Sequence, residues 1–309
     1  MWKIRNPEGG APGGDAAESD SKKGRSISLR LRLMVYFLAI LLIPLISLGF
    51  VGPWLYARSI ERQTNANMTG MIGQVNKNIE LRIREMERLI DFLSRTDSVS
   101  SFLKTGSATD AQRASIASTL TDISSTHPEI AGIMVVAASS DWVGDGFSRT
   151  TRDSLTEERW YARALDDPFE VHLVARPIGR NIRSTKAYGA DEVVSIVKAV
   201  TPGIAEKPTG AILIDMKLSA IEELFTTSLV GKGGFLYIVD SSGEMVYAPV
   251  NRVVYRLPLD ALLREPSEAI VSVSKTDYQV LGQHSPYTDW WTIGVFSLSD
   301  VLREVLMIR

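Results

Sequence analysis

Twenty-five consecutive residues, Leu33 to Ala57, carry no charge (LMVYFLAILLIPLISLGFVGPWLYA), and nothing else in the sequence limits the fold as strongly. At about 1.5 Å of rise per residue, roughly 20 apolar residues cross a bilayer core, so the run predicts a transmembrane helix within residues 29–57. A soluble core helix is rarely apolar on every face over such a length. Pro44 and Pro53 are tolerable in a spanning helix, and Pro53, Trp54 and Tyr56 mark its far interface. A cleaved signal peptide would need a shorter apolar region followed by a small-x-small site, and neither is present. Lys22, Lys23, Arg25, Arg30 and Arg32 precede the run, whereas only Arg58 and Arg62 follow closely. That asymmetry predicts a cell-membrane protein with a cytoplasmic N-terminus and an extracytoplasmic bulk.

Residues 1–28, with GGAPGGDAAESDSKKG at their centre, are small and polar. They cannot bury enough apolar surface to offset ordering entropy, and predict a disordered cytoplasmic leader. Across the 309 residues, 34 Lys+Arg stand against 36 Asp+Glu, a net charge of -2. With no polybasic tract, a nucleic-acid partner is not expected. The count of zero cysteines removes disulfides, thiol catalysis and cysteine-type metal sites together.

Beyond the apolar run the period becomes helical. Met68, Ile72, Val75, Ile79, Ile83, Met86, Ile90 and Leu93 recur at steps of 3 and 4, nearly a heptad. The membrane helix is therefore expected to continue outward as one rod within residues 58–127. Its stripe has two possible partners, a second copy in a homodimer or the chain's own domain. Another helix is predicted near Asp110–Ser125, ending at His127-Pro128.

Short apolar runs follow, bounded by Gly, Pro, Asp or Ser as strands are: 130–136, 193–200, 211–216, 235–240, 244–247, 269–273, 278–281 and 291–296. Helices are suggested at Glu157–Leu165, Leu218–Thr227 and Leu259–Arg264. In FLYIVDSSGEMVYAP, Asp240 and Gly243 hold the first and fourth positions of a type I turn, which makes this the clearest hairpin. Antiparallel strands with helices to one side give an α+β class. Two modules are expected in series, 128–230 and 231–297, followed by a helix at 298–309 leading toward an absent second span.

The arrangement resembles the double-Cache sensor regions of bacterial membrane receptors. The resemblance is carried by Arg159-Trp160-Tyr161-Ala162-Arg163-Ala164, by Gly210 to Met216 (GAILIDM) before a helix, and by Tyr237 to Tyr247 (YIVDSSGEMVY). Within that group, Ser28 to Leu33 (SLRLRL) leading into Leu42-Ile43-Pro44-Leu45 looks like the start of YesM-like sensor histidine kinases. The resemblance implies two PAS-like modules. It also implies that a small molecule binds the membrane-distal one and shifts the helices entering the membrane.

Arg159, Trp160 and Tyr161 set a guanidinium beside two aromatic faces, suited to a carboxylate with an apolar body, or to holding a helix on its sheet. In amino-acid-sensing relatives an arginine lies two residues before the tryptophan and a tyrosine five before that arginine. Here those slots hold Glu158 and Asp153, a departure from that pattern. Arg176, Arg180, Arg183 and Lys186 crowd one loop that could draw in an anionic ligand. Tyr188 and Asp191 precede a strand at a plausible pocket lip. Asp215 and Asp240 match family positions and are read as structural, closing turns through backbone hydrogen bonds. The ligand-site set is thus Arg159, Trp160, Tyr161, Arg176, Arg183, Tyr188 and Asp191.

No catalytic constellation is found. His127, His172 and His284 look isolated, so no metal and no cofactor are expected. Gly231-Lys232-Gly233-Gly234 precedes a strand rather than a helix, which removes a phosphate loop. The sequence therefore reads as the non-catalytic input region of a two-component sensor histidine kinase. A chemoreceptor, a diguanylate cyclase or a stand-alone membrane-anchored binding protein are the alternatives.

Overall fold

The computed structural model describes residues 28–46, 49, 52–203, 206–227, 234–249, 253–254, 263, 268–273 and 276–297. The leader up to residue 27, the Gly231–Gly233 loop, all but Leu263 of the helix expected at Leu259–Arg264, and the helix at 298–309 lie outside the described residues. Two compact units divide the chain, Met1–Arg62 and Gln63–Arg309.

In the first unit, α1 (Leu29–Ile46) is an 18-residue helix with a mean hydropathy of 2.2 and no buried residue. It is long and apolar enough to cross a membrane, about 27 Å at the usual rise. Residues 47–48 and 50–51 lie outside the description, and with them the expected continuity into the next helix. That helix, α2, runs from Gly52 to Arg95, and the side chains of Pro53, Trp54 and Tyr56 are likewise not described.

In the second unit, all eight stripe residues of α2 are buried, none more than 7% exposed, and all belong to the chain's own core. Of the two partners expected for the stripe, the chain's own domain is the one this packing supplies. A 3–4 spacing demands an apolar surface but not which one, and here two β-sheets supply it. After α2 come α3 (Asp97–Thr105), stopped by left-handed Gly106, and α4 (Asp110–Thr126). Thr109 and Gln112 close a reciprocal capping box at the start of α4.

The first sheet has the order β2-β1-β7-β6-β4, every pairing antiparallel. Its strands are β1 (Ile130–Ala137), β2 (Trp142–Asp145), β4 (His172–Ala175), β6 (Val193–Val200) and β7 (Gly210–Lys217). β1 is buried at every position and β7 at all but Lys217, which is why both read as continuous apolar runs. One face, including Ile133, Val135, Ile196 and Ile214, packs into the core shared with α2, α3 and α4. The other, including Met134, Val136, Val197 and Leu213, packs under α5 (Arg159–Asp166). A small pair, β3 (Phe147–Arg149) with β5 (Ile182–Ser184), covers the same face. Phe147 lies so close over Gly132 that a Cβ there would meet its ring at 2.7 Å.

α6 (Ser219–Thr227) leads toward the second sheet, β10-β11-β12-β8-β9, also antiparallel. Its strands are β8 (Gly234–Asp240), β9 (Met245–Tyr247), β10 (Glu268–Val273), β11 (Thr276–Ser285) and β12 (Trp290–Ser297). Alternation divides it cleanly. Leu236, Ile238, Leu281, Trp290 and Phe296 join the α2 core, whereas Tyr237, Val239, Val280, Ile293 and Val295 form a separate cluster on the opposite face. The predicted hairpin turn is present: Gly243 N–H donates to the Asp240 carbonyl at 3.0 Å, and the Asp240 side chain accepts from the Ser242 and Glu244 amides.

Polar contacts tie α2 to both sheets. Ser285 donates to Glu80 at 2.7 Å and Asn76 to the Gln283 carbonyl at 3.2 Å. Glu87 accepts from Tyr287, in the turn between β11 and β12, at 2.8 Å and from Lys198 of the first sheet at 2.9 Å, while Lys198 also reaches Asp91. Burial pushes the Glu87 carboxyl up. The hydrogen bonds from Lys198 and Tyr287, with the charges of Lys198 and Arg84, outweigh it and hold the group below the ordinary glutamate value.

Candidate ligand site

The α5 face of the first sheet is apolar along most of its length and polar at one end. Strand register sets Gly132, Asp215 and Ser195 side by side across β1, β7 and β6. Asp215 and Ser195 are fully buried on that face. A buried carboxylate needs a partner, and Arg180 from the loop between β4 and β5 supplies it. Its Nη1 and Nη2 donate to the two Asp215 oxygens at 2.9 and 2.7 Å, and Nη1 also reaches Ser195 at 2.9 Å. Ser195 in turn donates to Asp215 at 2.6 Å. The Arg180 guanidinium lies 5.9 Å from the centre of the Phe147 ring.

Around this pair stand residues from four further segments. Glu158, the N-cap of α5, accepts from the Trp160 indole at 2.7 Å and from the Asn181 amide at 3.1 Å. Burial raises its carboxyl above the ordinary value, against the opposing hydrogen bonds and the charges of Arg180 and Arg149. Trp160 and Tyr161 pack edge to face at 5.7 Å. Tyr188 feels the charges of Asp215, Arg180 and Asp145, and burial pushes both it and Tyr161 up to about 12. Lys186 closes over Asp145 with a 3.0 Å ion pair.

Four buried polar atoms on these residues have no hydrogen-bond partner of good geometry, Arg149 Nε, Tyr161 OH, Arg180 Nε and Tyr188 OH, although the Ser184 hydroxyl also acts on Tyr188. Such groups are uncommon in folded proteins because each forfeits its bonds to water. The four residues belong to the layer of α5, β3 and loops that covers one face of the first sheet.

Of the residues singled out from sequence, the structure brings Trp160, Tyr161 and Tyr188 to this place. Arg159, Arg176, Arg183 and Asp191 are exposed, Arg183 donating only to Ser148. Arg159 follows the cap of a helix that buries Trp160, Tyr161 and Ala164, so its side chain leaves on the solvent face. Arg180 enters where its loop neighbours do not. Asp215 is corrected as well: it sits within β7 and closes no turn. Sequence reading missed Arg149 and Glu158, though the cap position ahead of an amphipathic RWYARAL was a usable signal.

The histidines are not isolated either. Glu85, His127 and Glu129 offer ligand atoms within 4.8 Å of one another, but Arg82 lies 3.1 Å from Glu85 and 3.9 Å from Glu129 and already shares its charge between them. His284 meets Asp289 at 3.0 Å, and His172 the Asp167 carbonyl at 2.9 Å. A separate open cleft of about 540 Å³ lies where α2, α3 and β6 meet, with Arg95 and Lys104 on its exposed rim.

The profile of the Cache domain family matches residues 56–305, most of the chain, and the chain belongs to that family. It is similar to the ligand-binding domain of the Pseudomonas fluorescens chemoreceptor CtaA in complex with L-leucine: TM-score 0.57, 16% identity, 79% of this chain and 99% of the other. The corresponding domain of the Pseudomonas aeruginosa amino-acid chemoreceptor PctC, in complex with GABA, gives 0.56 at 15% identity over 75% and 99%. These likenesses show the fold. A probable methyl-accepting chemotaxis protein of Bacillus thuringiensis subsp. konkukian is 21% identical over 91% of the chain, which spans 41% of that protein's length.

Proposed function

We propose that the chain is the extracytoplasmic input region of a membrane receptor, with α1 as its anchor, residues before α1 in the cytoplasm, and a small molecule received on the α5 face of the first, membrane-distal sheet. The observation that carries this reading is the cluster of unpartnered buried donors around Arg180 and Asp215. The apolar α1, with its preceding basic residues, supports the anchor and its direction. Ligand binding would work by population shift, favouring whichever placement of the loop, α5 and sheet it contacts better. Glu87, bonded to both sheets, is the polar link through which that change reaches α2.

The chemotaxis relative favours a chemoreceptor output, since the chain spans 41% of that protein and the remainder would hold the signalling part. A sensor histidine kinase is the second reading, supported by the SLRLRL and LIPL segments near the N-terminus. The test is a thermal-shift screen of the whole chain in detergent against small metabolites. A ligand that binds only the native state raises the midpoint, by linkage. At least one compound is expected to raise it in the wild type and not in Trp160→Ala. A shift of equal size in that variant would move the site elsewhere.

A further inference from the structure

The donor and acceptor inventory of the first sheet's polar end is one-sided. Its two central carboxylates are already engaged. Asp215 takes three hydrogen bonds, two from Arg180 and one from Ser195, and Glu158 takes one on each oxygen. Arg180 balances Asp215 charge for charge, while Arg149 and Arg180 both act on Glu158. What remains without a partner is two guanidinium N–H groups and two phenolic O–H groups. A guanidinium can only donate, and a phenol does so readily.

An ammonium group brought here would find no carboxylate without a donor, and because Arg180 and Arg149 are matched in charge by Asp215 and Glu158, the choice falls to hydrogen-bonding capacity. An oxygen-rich anion would find the reverse. We propose that the site takes a small carboxylate bearing hydroxyl or keto oxygens and no ammonium group, and discriminates against the matching α-amino acids. The proposal rests on the distal-sheet reading above. Arg180 Nε and Arg149 Nε would serve the carboxylate, and Tyr188 the second oxygen. Arg180 is then a specificity residue: by occupying Asp215 it removes the acceptor a ligand amine would otherwise use. Leaving a donor unpaired against the wrong analogue is an effective way to discriminate, because the site keeps its desolvation penalty.

The test compares matched pairs by calorimetry on the whole chain in detergent: L-lactate with L-alanine, L-malate with L-aspartate, and 2-hydroxyisocaproate with L-leucine. At least one oxyacid is expected to bind ten-fold or more tightly than its amino partner, and about ten-fold more weakly to Tyr188→Phe. An amino acid binding as well as its oxyacid overturns the proposal, and so does silence from both series. The two failures separate cleanly. If another compound from the metabolite screen binds the wild type and is lost in Trp160→Ala, the distal site stands and only the ligand class falls. If the oxyacids bind Tyr188→Phe and Trp160→Ala as they bind the wild type, the distal reading itself falls.

Discussion

The two sheets share an architecture and differ in what they do with their second face. In each, one face is given to α2 and the common core. On the first sheet the opposite face carries Asp215, Ser195 and Arg180 at one end, with four unpartnered polar atoms around them. On the second sheet the corresponding face is an apolar cluster of Tyr237, Val239, Val280, Trp291, Ile293 and Val295, where, among the described residues, the Tyr237 hydroxyl is the unpartnered polar atom, its pKa raised by burial. The second face is therefore free to diverge, since the fold is held by the first. Among the described residues, the first sheet thus carries more of the stability cost of unpartnered polar atoms than the second.

Five variants sharpen that contrast. The largest effect is expected from Arg180→Ala, which strands Asp215 at 0% exposure; breaking one side of a buried pair costs about 3 to 5 kcal/mol. Urea unfolding at neutral pH measures it. The double change Arg180→Leu with Asp215→Leu should recover much of the loss, because no unpaired charge remains. Next, Ile293→Ala in the apolar cluster should cost about 2 to 5 kcal/mol through its cavity, with no rescue by any polar partner.

A third, smaller effect concerns the link between sheets. The Glu87 carboxyl is held below its ordinary value, so its contribution is present above the unfolded-state value and lost as pH falls through the folded one. Wild type should lose stability on acidification below about pH 4.5, and Glu87→Gln should flatten that part of the profile. Equal slopes in the two proteins would remove Glu87 as the coupling residue. The smallest effect is Thr109→Ala at the capping box of α4, about 1 kcal/mol by thermal melting, with no change in ligand binding.

Much of the fold was legible in the chain. The apolar runs at 130–136, 193–200 and 211–216 became β1, β6 and β7 because strands buried on both faces leave few polar interruptions. Edge strands such as β2 and β4, each four residues of mixed polarity, left no such trace. The site was legible only in part. Trp160 and Tyr161 stood out by type, whereas Arg180 could not be told from Arg176 and Arg183, since all three fall in one short stretch and share one chemistry. Which of them turns inward depends on Asp215, 35 residues later in the chain.

Period and polarity along the sequence determined which segments are helix or strand and that one helix is long and apolar enough to span a membrane, because both are properties of neighbouring residues. Only the tertiary structure decided what the α2 stripe packs against and which arginine meets the buried aspartate. An apolar stripe fits any apolar surface, and a carboxylate any cation; the partner is chosen by the sheet register that brings distant residues together.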